Sequence, residues 1–304
     1  MPNDTAAHLV LGTAQLGMAY GIANRRGRPD RDGAFAILSR AWARGVRFVD
    51  TAQAYGDGEA VIGDFLARHP ECGFGVISKL DPGRATADAG AIAEAISASR
   101  DRIGRPLAAM LLHDAARLDD WDGPVGHALR DGVERGAVQA LGISVYTPAE
   151  FERALEVDGL GIIQAPFNAF DRRLAETGLL ERARARGLQV HLRSCFLQGL
   201  LVMERCDLPP HMAFAADAIT HWRALCSAHN VAPAEAALRF VRTAVPAANI
   251  VVGCETADQL EGNLNALRAP PLAPEFVAAI AALPPACGRL LNPALWPPCH
   301  RRSA

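Results

Sequence analysis

Short apolar runs recur along the chain, separated by longer stretches rich in Ala, Leu, Arg and Glu. Eight of these runs read as buried strands: LVLGTA from Leu9, VRFVDTA from Val46, FGVISKL from Phe74, LAAMLLH from Leu107, VQALGIS from Val138, GIIQAP from Gly161, LQVHLRS from Leu188 and NIVVGC from Asn249. Between them, RDGAFAILSRAWARG (Arg31 to Gly45), TADAGAIAEAISASRDRIG (Thr86 to Gly104) and PAEFERALEVDG (Pro148 to Gly159) place apolar residues at helical spacing. Each ends in a glycine suited to a C-cap. The third opens on Thr147 as an N-cap before Pro148 at the first helical position.

Buried strands that alternate with crossover helices predict parallel pairing. Eight such units over about 250 residues fit a single (β/α)8 TIM barrel of the α/β class better than the alternative, an open doubly wound sheet. With no Ser/Pro/Gly linker and no solenoid repeat, residues 1–304 read as one barrel domain with an irregular, Pro-rich C-terminal tail from about 285. LLNPALWPPCHRRSA (Leu290 to Ala304) holds too many prolines for a helix. The longest irregular stretch, Leu197 to Met212, follows the seventh strand, where barrels often carry ligand-covering loops.

Composition narrows the function. Half of the 304 residues are hydrophobic, so the core can be large, and a formal net charge of −2 gives no long-range pull toward nucleic acid or an anionic membrane. No apolar run approaches the roughly 18 residues of a membrane span, and the N-terminus lacks a basic leader. Seven scattered cysteines, without a C-x-x-C pair, argue against disulfide scaffolds and zinc ribbons and point to a reducing cytoplasm. Cys226 and His229 share a helical face but make only two ligands, too few for structural zinc, so no metal is expected.

In a parallel barrel all strands open their C-terminal ends on one face, which brings together polar residues that are far apart in sequence. Strand two ends in Asp50, strand three in Lys79 and strand four in His113, with Tyr55 on the loop leaving strand two. Singly, each has an ordinary structural reading: a cap, a solvated charge, a satisfied core histidine. Together they make an acid. A phenol of pKa about 10 donates poorly near neutrality, but an adjacent ammonium stabilises its phenolate. Asp50 would hold Lys79 charged, His113 would align a substrate carbonyl, and Tyr55 would protonate the oxygen.

These residues and their surroundings, GVRFVDTAQAYGDGEAVIG followed by SKL, LLHD, GIS and QAPFNAFDRR, strongly resemble the aldo-keto reductase superfamily over nearly the whole chain. The family's Asp, Tyr, Lys and His tetrad matches Asp50, Tyr55, Lys79 and His113. The resemblance implies a nicotinamide cofactor stretched across the strand ends without a G-x-G-x-x-G turn. By the family's pattern, Ser144 and Gln164 would bond the nicotinamide amide, Gly12 and Thr13 would line the cofactor, and Asn263 would reach the adenine.

Some positions depart from that pattern. Val145 stands where many members have Asn, so Asn168 is a substitute amide contact, and Arg193, followed by Ser194, stands where many have an aromatic over the nicotinamide. Arg193 could stack, bind phosphate, face substrate or serve as a structural ion-pair partner. Gly253 and Gln259 replace the Lys and Arg that many NADPH users carry. With Arg268 or another cation to compensate, NADP(H) is favoured over NAD(H). The implied reaction is hydride transfer between nicotinamide and an aldehyde or ketone, or the reverse oxidation of an alcohol or sugar. Two rival readings are a Schiff-base lyase acting through Lys79 and a cofactor-binding regulatory subunit. The expected partner is a small carbonyl or alcohol compound, chosen by the loops Ala14 to Asn24, after His113, and Leu197 to Met212. Met18, Tyr20, Trp121 and Phe196 could wall that pocket or pack the loops. Nothing in the sequence speaks to oligomeric state.

Overall fold

All eight apolar runs form strands in a computed structural model of the chain, which describes residues 8–83 and 88–297. They are β1 (Leu9–Gly12), β2 (Phe48–Asp50), β3 (Gly75–Leu80), β4 (Ala109–Leu112), β5 (Leu141–Ser144), β6 (Ile162–Pro166), β7 (Gln189–Arg193) and β8 (Asn249–Gly253). Each pairs in parallel with the next in sequence, and β8 returns to β1, so the sheet closes as a (β/α)8 barrel.

Among the described residues, twelve α-helical segments accompany the strands. The short turn α1 (Ala14–Gly17) and then α2 (Arg31–Ala43) follow β1; α3 (Gly58–Arg68), α4 (Ala89–Ile103), α5 (Pro124–Glu134), α6 (Pro148–Leu155) and α7 (Leu179–Ala185) follow β2 to β6 in turn. Two helices, α8 (Ala216–Ala228) and α9 (Pro233–Ala244), lie between β7 and β8. After β8 come α10 (Ala257–Arg268), α11 (Pro274–Ala281) and the four-residue α12 (Gly288–Leu291). Among the described residues, no helix is long and apolar enough to cross a membrane.

Local sequence explains most of the boundaries. Asp30 caps α2 by accepting from the Gly33 amide, Gly104 ends α4 at φ 79°, and Thr147 and Glu150 form a reciprocal capping box with Pro148 at the start of α6. Three expectations need correction. Helix α6 stops at Leu155, because the Glu156 amide already closes the last turn onto Arg153 and Ala154; Gly159 instead makes a later turn at φ 86°. Leu290 and Leu291 are helical and buried, while Pro293 begins a 3-10 turn, where its missing amide proton costs nothing. Within 197–212, 3-10 turns at Leu200–Val202 and Arg205–Asp207 give the expected irregular loop regular pieces. Thr86, expected to open α4, lies outside the described residues, as do Cys299 and the rest of the chain past 297.

The strands' period of two separates two cores. Residues such as Leu9, Leu11, Val76, Met110, Leu112 and Ile163 face the helices and join the large outer core. Val10, Ile77, Ala109, Leu111 and Ile162 form a separate small cluster that plugs the barrel's interior. Two positions further along the same strands and on the same face come Gly12, Lys79, His113 and Gln164. The site is thus the layer directly above the plug.

Candidate active site

Lys79 and Asp50 are nearly inaccessible, at 1% and 3% exposure, and the lysine Nζ donates to Asp50 Oδ1 at 2.5 Å and to the Thr51 carbonyl at 2.8 Å. Asp50 Oδ2 accepts from Gln164 Nε2 at 2.7 Å, so both carboxylate oxygens are engaged. Burial lowers the Lys79 pKa, but the Asp50 carboxylate and then Tyr55 outweigh it, and the lysine pKa is raised. The Nζ lies 5.0 Å from the centroid of the Tyr55 ring.

The Tyr55 loop is held from beneath and from the side. The Tyr55 amide donates to Ala52 O, its carbonyl accepts from Gly58, and the Gln53 amide donates to Lys79 O on β3. Gly56, at φ 54°, lies so close to Gly17 that an added Cβ would come within 2.5 Å of the Gly17 carbonyl. Arg28 bridges the two segments, donating to Asp57 at 2.5 Å and to Gly17 O at 3.4 Å. Only glycine permits both the dihedral and the contact at position 56.

His113 meets Tyr55 edge-on, with ring centroids 5.9 Å apart. Burial, then the positive charges of Lys79 and Arg193, lower its pKa to about 4, so the ring is neutral near pH 7. Its Nδ1 is buried without a hydrogen-bond partner among the described residues, as is Gln164 Oε1. Beneath them, His191 on β7 pairs with Asn249 at 3.0 Å, and burial holds its pKa near 4 as well.

Above this layer opens a cavity of about 450 Å³. Asp50, Tyr55 and His113 line it, as do Gly12, Thr13, Ser144, Gln164, Arg193, Ser194, Gly253, Gln259 and Asn263. Lys79 sits under the floor. Asn168 is not brought in: its Nδ2 donates to the Ser194 carbonyl and its Oδ1 accepts from Phe170 and Asp171, so its amide is consumed in shaping its own loop. Arg193 donates to Ser194 Oγ and to the Val145 carbonyl, and its guanidinium stacks 4.2 Å over Tyr146. Arg268 donates to the Arg44 carbonyl and does not line the cavity.

Of the four candidate wall residues, Tyr20 and Phe196 line the cavity, whereas Met18 is 38% exposed outside it and Trp121 anchors its loop by donating to Asp158 O. Burial and the neighbouring Tyr55 push the Tyr20 pKa up to about 12. The segment after His113 contributes no lining. Tyr146 and Glu255 line the cavity outside every stretch singled out from sequence, and Gln15 and Gln198 line it from loops expected to choose the substrate, though neither was named there. Glu255 carried a usable signal, since it lies two residues past the C-terminal end of β8, on the open face of the barrel. Gln15 did not, because its place depends on folding back over Gly253, where an added Cβ would come within 2.2 Å of its Oε1.

Residues 8–284 match the sequence model of the Aldo/keto reductase family. The chain belongs to that family. It is 25% identical over 297 residues to aldo-keto reductase str7 of Strobilurus tenacellus, covering 90% of this chain and 86% of the relative. It is 27% identical over 308 residues to a D-threo-aldose 1-dehydrogenase of a Pseudomonas species, covering 86% and 92% respectively. Among solved structures, aldo-keto reductase AKR11C1 from Bacillus halodurans superposes with a TM-score of 0.72 at 21% identity, over 91% of both chains. As an aldo/keto reductase the chain is an NAD(P)-dependent oxidoreductase acting on carbonyl or alcohol groups. Its cavity suits the cofactor: two buried polar atoms without partners, on Gln164 and His113, border it, and Gly12 and Gly253 keep its wall low.

Proposed function

We propose that Tyr55 is the proton donor and acceptor of a reversible hydride transfer between a nicotinamide cofactor and a carbonyl or alcohol carbon. The observation that carries this reading is the stacking order of the site: a buried Asp50–Lys79 pair below, Tyr55 above it, and an uncharged His113 beside it.

Bound nicotinamide supplies or accepts the hydride at carbon. The residues of the chain handle the oxygen. Lys79, held protonated by Asp50, favours negative charge on Tyr55 as its proton leaves. Neutral His113 orients the oxygen by a hydrogen bond without competing as the acid. Gln164 spends its Nε2 on Asp50, which leaves Oε1 free to accept from the cofactor's amide, with Ser144 beside it. Gly12, Thr13, Ser194, Gln259 and Asn263 would carry the cofactor away from the reacting end. The name of the aldose dehydrogenase relative favours a sugar hemiacetal or a related hydroxylated aldehyde as substrate. The six described cysteines are free thiols, which supports a reducing cytoplasm.

Tyr55→Phe tests the assignment. Turnover is expected to fall by about 10²–10⁴-fold, the range for loss of a general acid, while cofactor binding followed by fluorescence stays near wild type. Near wild-type turnover would refute the proton-transfer role. The raised pKa of Lys79 weighs against the Schiff-base lyase, which needs a neutral amine. Borohydride trapping of a substrate adduct on Lys79 would reinstate it. Cofactor binding with no hydride transfer over a broad carbonyl panel would instead favour a regulatory subunit.

A further inference from the structure

Three side chains lining the cavity are formally charged at neutral pH: Asp50, Arg193 and Glu255. Asp50 is answered by Lys79 beneath the floor. Arg193 starts at the end of β7 but turns toward β5, donating to the Val145 carbonyl and stacking on Tyr146, and its charge is felt at His113 and Tyr20. It therefore belongs to the reacting end. From there the cavity runs past Gly12 and Gly253 to Glu255, Gln259 and Asn263, where β8 leads into α10. Among the described residues, no lysine or arginine lines that far end.

The start of α10 would ordinarily attract an anion through its free amides and helix dipole. Here the place is taken. Thr256 Oγ1 accepts from the Gln259 amide, Gln259 Oε1 accepts from the Glu255 amide at 2.7 Å, and the Glu255 carboxylate supplies negative charge at the same helix end. Among the described residues, no ion pair engages Glu255. Burial raises its pKa, and a hydrogen bond with Gln259 and the charge of the exposed Arg26 partly offset this. A ribose diol supplies two donors to such a group, whereas a phosphate in the same place sets like charges together.

We propose that Glu255 selects the dinucleotide whose adenosine ribose carries free 2′- and 3′-hydroxyls, NAD(H), and rejects the 2′-phosphorylated form, NADP(H). The proposal rests on the reading of the chain as a nicotinamide-dependent enzyme, and it reverses the preference expected from the sequence. Arg268, the cation invoked there, is turned away toward Arg44.

The test is fluorescence titration of the full chain, without substrate, with NADH and with NADPH. Wild type is expected to bind NADH more than about tenfold tighter, a gap that narrows as salt screens the repulsion. The isosteric Glu255→Gln should bring the two affinities within about threefold by strengthening NADPH and weakening NADH, and Glu255→Lys should invert their order. Glu255→Ala serves as the second neutral variant should Glu255→Gln fail to fold. NADPH binding as tight as NADH in wild type, or a ratio unmoved in Glu255→Gln, overturns the proposal. So does tight NADPH binding that Arg26→Ala abolishes, since that would make Arg26 the determinant. Failure of both dinucleotides to bind would overturn the nicotinamide reading itself and this inference with it.

Discussion

Two rings of side chains face the inside of the barrel, one step of two residues apart. The lower ring holds Val10, Ile77, Leu111 and Ile162; the upper holds Gly12, Lys79, His113 and Gln164 on the same four strands. Backbone geometry and face are shared, so the contrast is one of side-chain chemistry and solvation. Below, the residues gain stability by excluding water. Above, Lys79 and Gln164, at 1% and 0% exposure, both donate to the Asp50 carboxylate, while Gln164 Oε1 and His113 Nδ1 have no partner among the described residues. The comparison separates two purposes of burial: the plug stabilises the barrel, while the buried layer above it keeps Lys79 charged and His113 neutral.

The largest break in that comparison is Lys79→Met. It makes the upper ring resemble the lower one but leaves Asp50 as a buried carboxylate with only Gln164 against it. Loss of one partner from a buried pair costs about 3–5 kcal/mol, and turnover should be lost as well. Urea unfolding followed by tryptophan fluorescence reads the stability change. Asp50→Asn combined with Lys79→Met should cost less than Lys79→Met alone, because no uncompensated charge remains. Equal stability of wild type and Lys79→Met would mean that the pair is not the buried unit described.

Ile162→Ala, in the plug below Gln164, acts on the other ring. A cavity there should cost about 2–5 kcal/mol, while the folded fraction keeps turnover within a few-fold of wild type. A turnover loss as large as that of Tyr55→Phe would show that the plug and the site are not separable.

The lower ring was the more legible of the two from sequence. Buried parallel strands are continuous apolar runs, and eight of them marked the barrel without reference to side-chain placement. The ring above followed from topology: Asp50 ends β2, Lys79 is the next-to-last residue of β3 and His113 directly follows β4, so the closed barrel had to bring them to one face. Side-chain direction was harder to read. Asn168 sits one loop from the mouth yet spends its amide on Ser194 and Phe170, and Arg193 turns across to β5 instead of toward β8. Such choices depend on rotamers and loop paths set by neighbours distant in sequence. The corrected end of α6, Leu155 in place of Gly159, and the short helical turns at 288–291 and within 197–212 were local questions of a single turn, where alternative closures differ little in energy.

The smallest expected effect comes from the two histidines, and it tests whether the upper layer is kept uncharged. Burial lowers His113 and His191 from an ordinary 6.5 to about 4. Between those values the unfolded chain takes up protons that the folded barrel refuses. Stability should therefore be flat above about pH 6.5, as far as these groups contribute, and fall as acid lowers the pH from about 6.5 toward 4. Carboxylates add losses at the acid end of that range, so the decisive comparison is with His191→Asn, which keeps a neutral hydrogen-bonding group opposite Asn249 and removes one titration. Its unfolding free energy should decline less between pH 6.5 and pH 5 than that of wild type, whatever its absolute value. An identical decline in both proteins would mean that His191 accepts a proton in the fold as readily as in the unfolded chain, and that the polar layer beneath Tyr55 is wetter than its geometry requires.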